Sequence, residues 1–156
     1  MYQPHLLLNS QLLDDQGQPF SFKEVLTASQ WLVLYFYPKD LTPGCTMEGL
    51  DFKAHYEAFQ ALKVAVIGVS ADSSVRHASF KSKCGFPFPL LADTDHVLSE
   101  LFGVYKQKSM FGKSYMGIER STFLVNVQGE ICHTWLNVKV KGHAASVLKV
   151  IQNLGG

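Results

Sequence analysis

The amino-acid sequence predicts an α/β fold in which a central mixed sheet is flanked by helices. Seven consecutive apolar or aromatic residues at 31–37 are rich in β-forming types and form a run too short for a typical helix, so they predict a buried central strand. A helical segment follows, and then a second apolar run at 64–69. Strand, helix and strand in close succession indicate a parallel pair joined by a right-handed crossover.

Turn signals and apolar periodicity predict the remaining elements. In chain order these are an N-terminal hairpin around 16–19, a helix from the central strand to about residue 60, a helix at 73–83, a short helix at 96–102, a hairpin of 123–127 with 130–136, and a helix from about residue 142. The helix at 73–83 has Gly85 as a suitable C-cap, with Pro87 just beyond it. The segment 106–118 lacks clear periodicity and is predicted to be a long loop.

Composition limits the classes of function. The 156 residues are 47% apolar, which suits a single domain, 1–156, with a full core, and a net charge of +1 gives no reason to expect a nucleic-acid or membrane partner. The N-terminus has no basic region and its apolar run at 6–8 is too short for a secretory signal, so a cytoplasmic location is expected. In that reducing compartment the three cysteines are better explained as catalytic or incidental than as structural bridges.

One of these cysteines lies where a helix is predicted to start. Pro38 ends the central strand, Thr42 suits the N-cap, and Pro43 suits the first helical position because its missing N–H would be unpaired there. Cys45 is then the third helical residue, facing unpaired backbone N–H groups at the positive end of the helix, which favour the nucleophilic thiolate. A buried structural cysteine is the alternative, since free cysteine is among the most buried residue types.

The sequence gives no pattern for a metal or a cofactor. Cys132 and His133 are adjacent on a predicted strand and therefore point to opposite faces, and no Cys-x-x-Cys or His-x3-His spacing occurs. The segment 112–114 reads Gly-Lys-Ser, but Gln107 occupies the position of the earlier glycine of a phosphate-binding loop. Neither a metal site nor a nucleotide site is expected, and the six histidines are expected at the surface or in local pairs.

The pattern Pro38-x-x-x-Thr42-x-x-Cys45 resembles the active-site pattern of the peroxiredoxins. Its setting, YFYPKDLTPGCTMEG, is similar to the bacterioferritin comigratory protein or peroxiredoxin Q subfamily. The likeness extends over nearly the whole chain, through the segments QGQP at 16–19, LADTDH at 91–96, MFGK at 110–113 and ERSTF at 119–123. It implies a thioredoxin-like fold with peroxiredoxin elaborations, and a peroxidase that reduces hydrogen peroxide and organic hydroperoxides through a cysteine sulfenic acid.

The resemblance also implies roles for individual residues. Cys45 would be the peroxidatic nucleophile, Thr42 would hydrogen-bond both sulfur and peroxide, and Pro38 would shield the sulfur from water. Arg120 would hold the thiolate and the charge developing on the peroxide oxygens, a task that suits its rigid fork of donors, whereas a lone arginine more often makes a surface ion pair. Glu48 is either an acid favoured by the helix N-terminus or a member of the network that orients the arginine.

Resolution of the sulfenic acid is where the chain departs from part of the family. Many members carry a second cysteine five positions after the first, but Leu50 stands there. Another subset places its resolving cysteine on the next helix, which makes Cys84 the candidate here. The alternative is a one-cysteine cycle in which Cys84 is passive, and Cys132 is expected to have no redox role. The resemblance implies thioredoxin or a similar dithiol as reductant, and a monomer.

Two other function classes are weighed against the peroxidase. A disulfide oxidoreductase on the same fold would need Cys-x-x-Cys where this chain has Thr42-Pro43-Gly44-Cys45. A holdase would use apolar surface without turnover.

Overall fold

The computed structural model describes residues 2–154 and centres on a seven-stranded mixed sheet. The strands in this part of the chain are β1 (Leu12–Asp14), β2 (Pro19–Phe20), β3 (Trp31–Phe36), β4 (Val64–Ser70), β5 (Leu90–Ala92), β6 (Tyr105–Met110), β7 (Lys113–Ile118), β8 (Ser121–Val125) and β9 (Ile131–Trp135). The helices are α1 (Pro4–Leu8), α2 (Phe22–Ala28), α3 (Pro43–Ala54), α4 (Tyr56–Ala61), α5 (Ser74–Cys84), α6 (Val97–Leu101) and α7 (His143–Asn153).

The central strand β3 organises the sheet, whose order is β2-β1-β5-β4-β3-β8-β9. It pairs in parallel with β4, from Trp31 opposite Val64 to Phe36 opposite Val69, as the apolar runs predict. On its other side it pairs antiparallel with β8, where Phe36 lies opposite Ser121. The sheet is therefore mixed, with a parallel centre and an antiparallel edge.

Helices cover both faces of β3, so the strand is apolar throughout rather than alternating with polar residues. Leu32, Leu34 and Phe36 point into one core cluster. Val33 and Tyr35 point into the other, which also contains Cys45. The period of two along the strand thus separates the core beneath the cysteine from the core on the opposite face.

Several local predictions are confirmed. The N-terminal hairpin is present as β1 and β2, and the hairpin of β8 with β9 turns between Asn126 and Glu130. Helix α5 starts after Ser73, whose hydroxyl accepts a hydrogen bond from the Arg76 N–H, and ends at Gly85 in the left-handed conformation, with φ of 67°. The predicted helix up to residue 60 is instead two helices, α3 and α4, which meet at His55.

The prediction of a long loop at 106–118 is wrong, because this segment forms most of the hairpin of β6 and β7. Its strands pair from Tyr105 opposite Ile118 to Met110 opposite Lys113. The two turn residues, Phe111 and Gly112, have φ of 53° and 77°, as a two-residue hairpin turn of type I′ requires. Both faces of this ribbon are largely exposed, so it needs no apolar alternation and leaves none in the sequence.

Three short elements were not predicted, namely α1, α2 and β5. Each is short, so its periodicity spans few residues. Within residues 2–154, no helix combines the length and the apolar character needed to cross a membrane.

Candidate active site

Cys45 is the third residue of α3, as the sequence predicts. Thr42 is the N-cap residue with extended backbone, and Pro43 occupies the first helical position. The first hydrogen bond of the helix runs from the Thr46 N–H to the Thr42 carbonyl, at 2.9 Å. Cys45 is a free thiol and is only 2% exposed. The sulfur therefore lies in the first turn of a helix yet is almost fully enclosed.

The guanidinium of Arg120 connects Cys45 to Glu48. One terminal nitrogen, Nη2, donates to the Cys45 Sγ at 3.4 Å, and the other, Nη1, donates to Glu48 Oε1 at 2.6 Å. Arg120 lies one residue before β8, whose first residue is opposite the last residue of β3. The register of these two strands thus brings together side chains that are 75 and 72 residues apart in the sequence.

Gly44 leaves room for this guanidinium. A Cβ atom at position 44 would lie 3.2 Å from Arg120 Nη2, closer than most real contacts. The small residue beside the cysteine therefore lets the arginine approach the start of α3.

Burial and charge act in opposite directions on the two ionisable neighbours of Cys45. Burial acts to lower the pKa of Arg120, but Glu48 and Cys45 outweigh it and raise that pKa above its usual value. Burial raises the pKa of Glu48 to about 7, although Arg120 acts to lower it. Glu48 is 1% exposed, and its second oxygen, Oε2, has no hydrogen-bond partner among the described residues. The cost of burying this carboxylate therefore exceeds what its ion pair recovers.

The Thr42 side chain closes the loop before α3 instead of capping the helix. Its hydroxyl donates to the Lys39 carbonyl at 2.7 Å, and it makes no cap hydrogen bond. A hydroxyl has one proton, so it cannot donate to Lys39 and to the sulfur at the same time. No hydrogen bond joins Thr42 to Cys45 in the part of the chain that the structure describes.

A cavity of about 510 Å³ gives access to Arg120. Its walls include Pro38 and the beginning of the β6–β7 hairpin, and the complete lining is Pro38, Lys106, Gln107, Lys108, Glu119, Arg120, Asn137 and Val138. Lys106 and Glu119 form an ion pair on this wall. The sequence analysis missed these wall residues because it treated 106–118 as a loop, although Glu119 stands next to Arg120 in the ERSTF segment.

The other two cysteines differ in their surroundings. Cys84, the last residue of α5, is partly exposed, and its carbonyl accepts a hydrogen bond from Lys53 Nζ at 2.9 Å. Burial raises the pKa of the Cys84 thiol, while Lys53 and Lys83 act to lower it. Cys132 is exposed on β9.

Two histidines are buried, so the prediction that the histidines lie at the surface or pair locally is wrong for them. His77 is 0% exposed and pairs with Asp40, which is 37 residues away. Burial lowers the pKa of His143 to about 4, and its Nε2 lies 2.7 Å from the Thr122 hydroxyl oxygen, with which it shares a hydrogen bond. Within residues 2–154 no three His, Cys, Asp or Glu side chains converge in a way that could hold a metal ion.

Sequence comparisons place this chain among known proteins. The sequence profile of the AhpC/TSA family matches residues 5–134. Peroxiredoxin Bcp of Bacillus subtilis is 46% identical over 144 residues, which cover 92% of this chain and 90% of that protein. Peroxiredoxin Bcp of Xanthomonas campestris is 50% identical over 125 residues, which cover 80% of this chain and 78% of that protein.

Solved structures agree with the sequence comparisons. The bacterioferritin comigratory protein of Xanthomonas campestris, studied for its alkyl peroxide reduction activity, matches with a TM-score of 0.92 at 42% identity, covering 100% of this chain and 98% of that one. A cysteine-to-serine mutant of Xylella fastidiosa PrxQ also matches with a TM-score of 0.92 at 42% identity, covering 100% and 96%. These likenesses confirm the predicted thioredoxin-like α/β fold with peroxiredoxin elaborations. Since the agreement spans nearly the whole chain in both sequence and structure, this chain belongs to the AhpC/TSA family and, within it, to the Bcp or peroxiredoxin Q group of peroxiredoxins.

Proposed function

We propose that this protein is a thiol peroxidase that reduces hydrogen peroxide and organic hydroperoxides with Cys45 as its nucleophile. The observation that carries the proposal is the contact of 3.4 Å between Arg120 Nη2 and the Cys45 Sγ at the start of α3. A guanidinium beside a sulfur at a helix N-terminus favours the thiolate, which is the form that attacks peroxides.

The reaction transfers one oxygen atom from the peroxide to the sulfur. The Cys45 thiolate attacks the terminal peroxide oxygen, the O–O bond breaks, and its electron pair leaves with the other oxygen as hydroxide or alkoxide. That anion takes a proton to give water or an alcohol, and Cys45 remains as a sulfenic acid. Arg120 stabilises the negative charge as it moves from sulfur to the leaving oxygen, because its donors are already aimed at the site.

Three neighbours support this step. Pro38, on the wall of the cavity beside Arg120, keeps bulk water from the sulfur. Thr42 turns its hydroxyl from the Lys39 carbonyl to the incoming peroxide, as its place at the N-cap allows. Glu48 orients Arg120 through the contact of 2.6 Å, leaving Nη2 for the sulfur.

Cys84 is our proposed resolving residue. Its thiol attacks the Cys45 sulfenic acid, water leaves, and an intramolecular disulfide forms. The end of α5 packs against the last turn of α3, since Lys53 donates to the Cys84 carbonyl, whereas Cys45 lies in the first turn of the same helix. The segment that follows Cys84 is held by Phe86, whose ring packs closely against α3. A Cβ atom on Gly49 of α3 would lie only 2.3 Å from this ring. The last turn of α5 and the first turn of α3 must therefore loosen before the sulfurs can bond.

Thioredoxin or a similar dithiol protein would then reduce the disulfide and restore both thiols. We place this cycle in a cytoplasmic, single-domain monomer, because a reducing compartment returns cysteines to the free thiol form. The alternative is a one-cysteine cycle, in which a reductant attacks the Cys45 sulfenic acid directly.

Replacing Cys45 with serine should abolish peroxide consumption, because a hydroxyl at this position is not a comparable nucleophile. The measurement is peroxide loss with dithiothreitol as the electron donor. Cys132→Ser is the matched control and should keep nearly full activity, since this exposed thiol lies on β9. Substantial turnover by Cys45→Ser would exclude Cys45 as the nucleophile.

Arg120→Met should slow oxidation of Cys45 by roughly 100- to 1,000-fold, the usual effect of removing one well-placed donor from a developing anion. The second-order rate constant with hydrogen peroxide, measured by stopped flow, checks this. Arg120→Lys should give an intermediate rate, because an ammonium keeps the charge but lacks the fork that reaches Glu48 and Cys45 together. Wild-type rates in both variants would contradict the role of the guanidinium.

Glu48 should make the folded state less stable as the pH rises from about 4.5 to about 7. Its pKa is 4.5 in the unfolded chain and about 7 when buried, so the folded protein binds the extra proton in this range. The free energy of unfolding of the wild type should fall relative to that of Glu48→Gln by on the order of 2–3 kcal/mol across this range, and the difference should level off above it. Urea titrations at several pH values measure it, and parallel pH dependences in the two proteins would contradict the burial effect.

One equivalent of peroxide should produce a disulfide between Cys45 and Cys84. Intact mass should fall by two hydrogens, and peptide mapping should identify the bond. Cys84→Ser should instead accumulate the sulfenic acid and lose turnover supported by thioredoxin, whereas Cys132→Ser should behave as the wild type. Full turnover in Cys84→Ser, or a stable sulfenic acid beside a free Cys84, would establish the one-cysteine cycle.

A further inference from the structure

The loop between β3 and α3 contains a buried carboxylate that the reaction does not use. Asp40 is 1% exposed and lies two residues before Thr42. Its Oδ1 accepts a hydrogen bond from the Tyr37 hydroxyl at 2.6 Å, and its Oδ2 accepts one from His77 Nδ1 at 2.6 Å. Both oxygens are therefore occupied by buried donors.

His77 belongs to α5, so this pair joins the active-site loop to another helix. The ring is 0% exposed, and its second nitrogen, Nε2, lies 2.8 Å from the Leu91 carbonyl oxygen on β5. Both ring nitrogens lie within hydrogen-bond distance of acceptor oxygens, one on Asp40 and one on Leu91. His77 thus bridges the loop, through Asp40, to α5 and the sheet.

The backbone of Asp40 is held from the same side. Its N–H donates to Asp72 Oδ2 at 2.8 Å, and its carbonyl accepts a hydrogen bond from Arg76 Nη2 at 3.2 Å. Arg76 Nε also pairs with Asp72 at 2.9 Å. Asp40 is thus held by its backbone as well as by both carboxylate oxygens.

The next residue, Leu41, is held in a strained conformation. Its φ is 67°, in the left-handed region that residues other than glycine rarely adopt. The Leu41 side chain is 39% exposed, so its own packing does not explain the conformation. The contacts that hold Asp40 through its backbone and its carboxylate restrain the chain directly before Leu41.

We propose that His77 is a positioning residue for peroxide reduction: through Asp40 it keeps Leu41 in the left-handed conformation, which places Thr42 and the first turn of α3 correctly for the peroxide. This inference depends on the proposed function of Cys45. In the part of the chain that the structure describes, His77 makes no hydrogen bond to the sulfur or to Arg120, so it acts through the loop. If the pair with Asp40 is lost, Leu41 can relax to an unstrained conformation, and Thr42 moves with it.

The first test is His77→Leu, which removes both ring hydrogen bonds. The second-order rate constant for oxidation of Cys45 by hydrogen peroxide should fall by roughly 10- to 100-fold, as small displacements of a reacting group do. His77→Asn keeps a donor near the position of Nδ1 and should recover part of the loss. The control is Asp93→Asn, which alters another buried carboxylate, one that accepts the Leu98 and Ser99 N–H groups of α6. It should lower stability and leave the rate constant unchanged.

A second substitution separates positioning from general loss of structure. Leu41→Gly added to His77→Leu should restore the rate several-fold, because glycine adopts the left-handed conformation without strain. In the wild-type background Leu41→Gly should change little. Alkylation of Cys45 by iodoacetamide needs no peroxide pocket, so its rate should stay near the wild-type value in His77→Leu while peroxide oxidation slows.

Failure of the proposed function and failure of the role of His77 would give different results. A wild-type protein that does not consume peroxide refutes the proposed function itself. An active wild type with a wild-type rate in His77→Leu, or a slow variant that Leu41→Gly does not improve, overturns the role of His77. If His77→Leu does not fold, His77→Asn is tested in its place, and a wild-type rate there, or a loss that Leu41→Gly does not improve, overturns the proposal.

Discussion

The contact between the Arg120 guanidinium and the start of α3 is the interaction on which the site depends. One planar group donates both to the Cys45 sulfur and to the Glu48 carboxylate, so the positions of these two side chains are linked. The same contact places a buried acid beside the proposed nucleophile, and burial keeps the pKa of Glu48 at about 7 despite the arginine. Arg120 therefore favours negative charge on the Cys45 sulfur, whereas burial of the Glu48 carboxylate costs more free energy than its ion pair with Arg120 recovers.

The sheet explains why these residues meet. The loop that carries Asp40 and Thr42 leaves the carboxyl end of β3, and the antiparallel partner β8 begins at the same level with Arg120 just before it. A shift of one residue in this register would turn every side chain of β8 to the other face. The geometry of the site thus depends on the same strand pairing that builds the core.

Helix α5 takes part in both proposed steps of the cycle, peroxide reduction and resolution. The first needs a fixed loop, and the second needs a helix end that can open. In its first half, His77 is fully buried and contacts the loop that precedes Cys45. At its last residue, Cys84 is partly exposed, and Gly85 ends the helix. A helix fixed at one end and able to fray at the other would let the proposed resolution by Cys84 proceed while His77 and Asp40 stay paired. Lys53 and Phe86 hold the fraying end against α3 until it opens.

The sequence by itself determined the features that arise from neighbouring residues. Thr42 and Pro43 start the helix that has Cys45 at its third position, and Gly85 ends α5. Only the tertiary structure decided the partners. The family resemblance offered the contact between Glu48 and Arg120 as one of two alternatives, but no local pattern signals it or the burial of His77 against Asp40. Such contacts depend on the pairing and packing of elements far apart in the chain. The β6–β7 hairpin escaped prediction for the opposite reason, since an exposed ribbon buries too little apolar surface to impose a pattern on its residues.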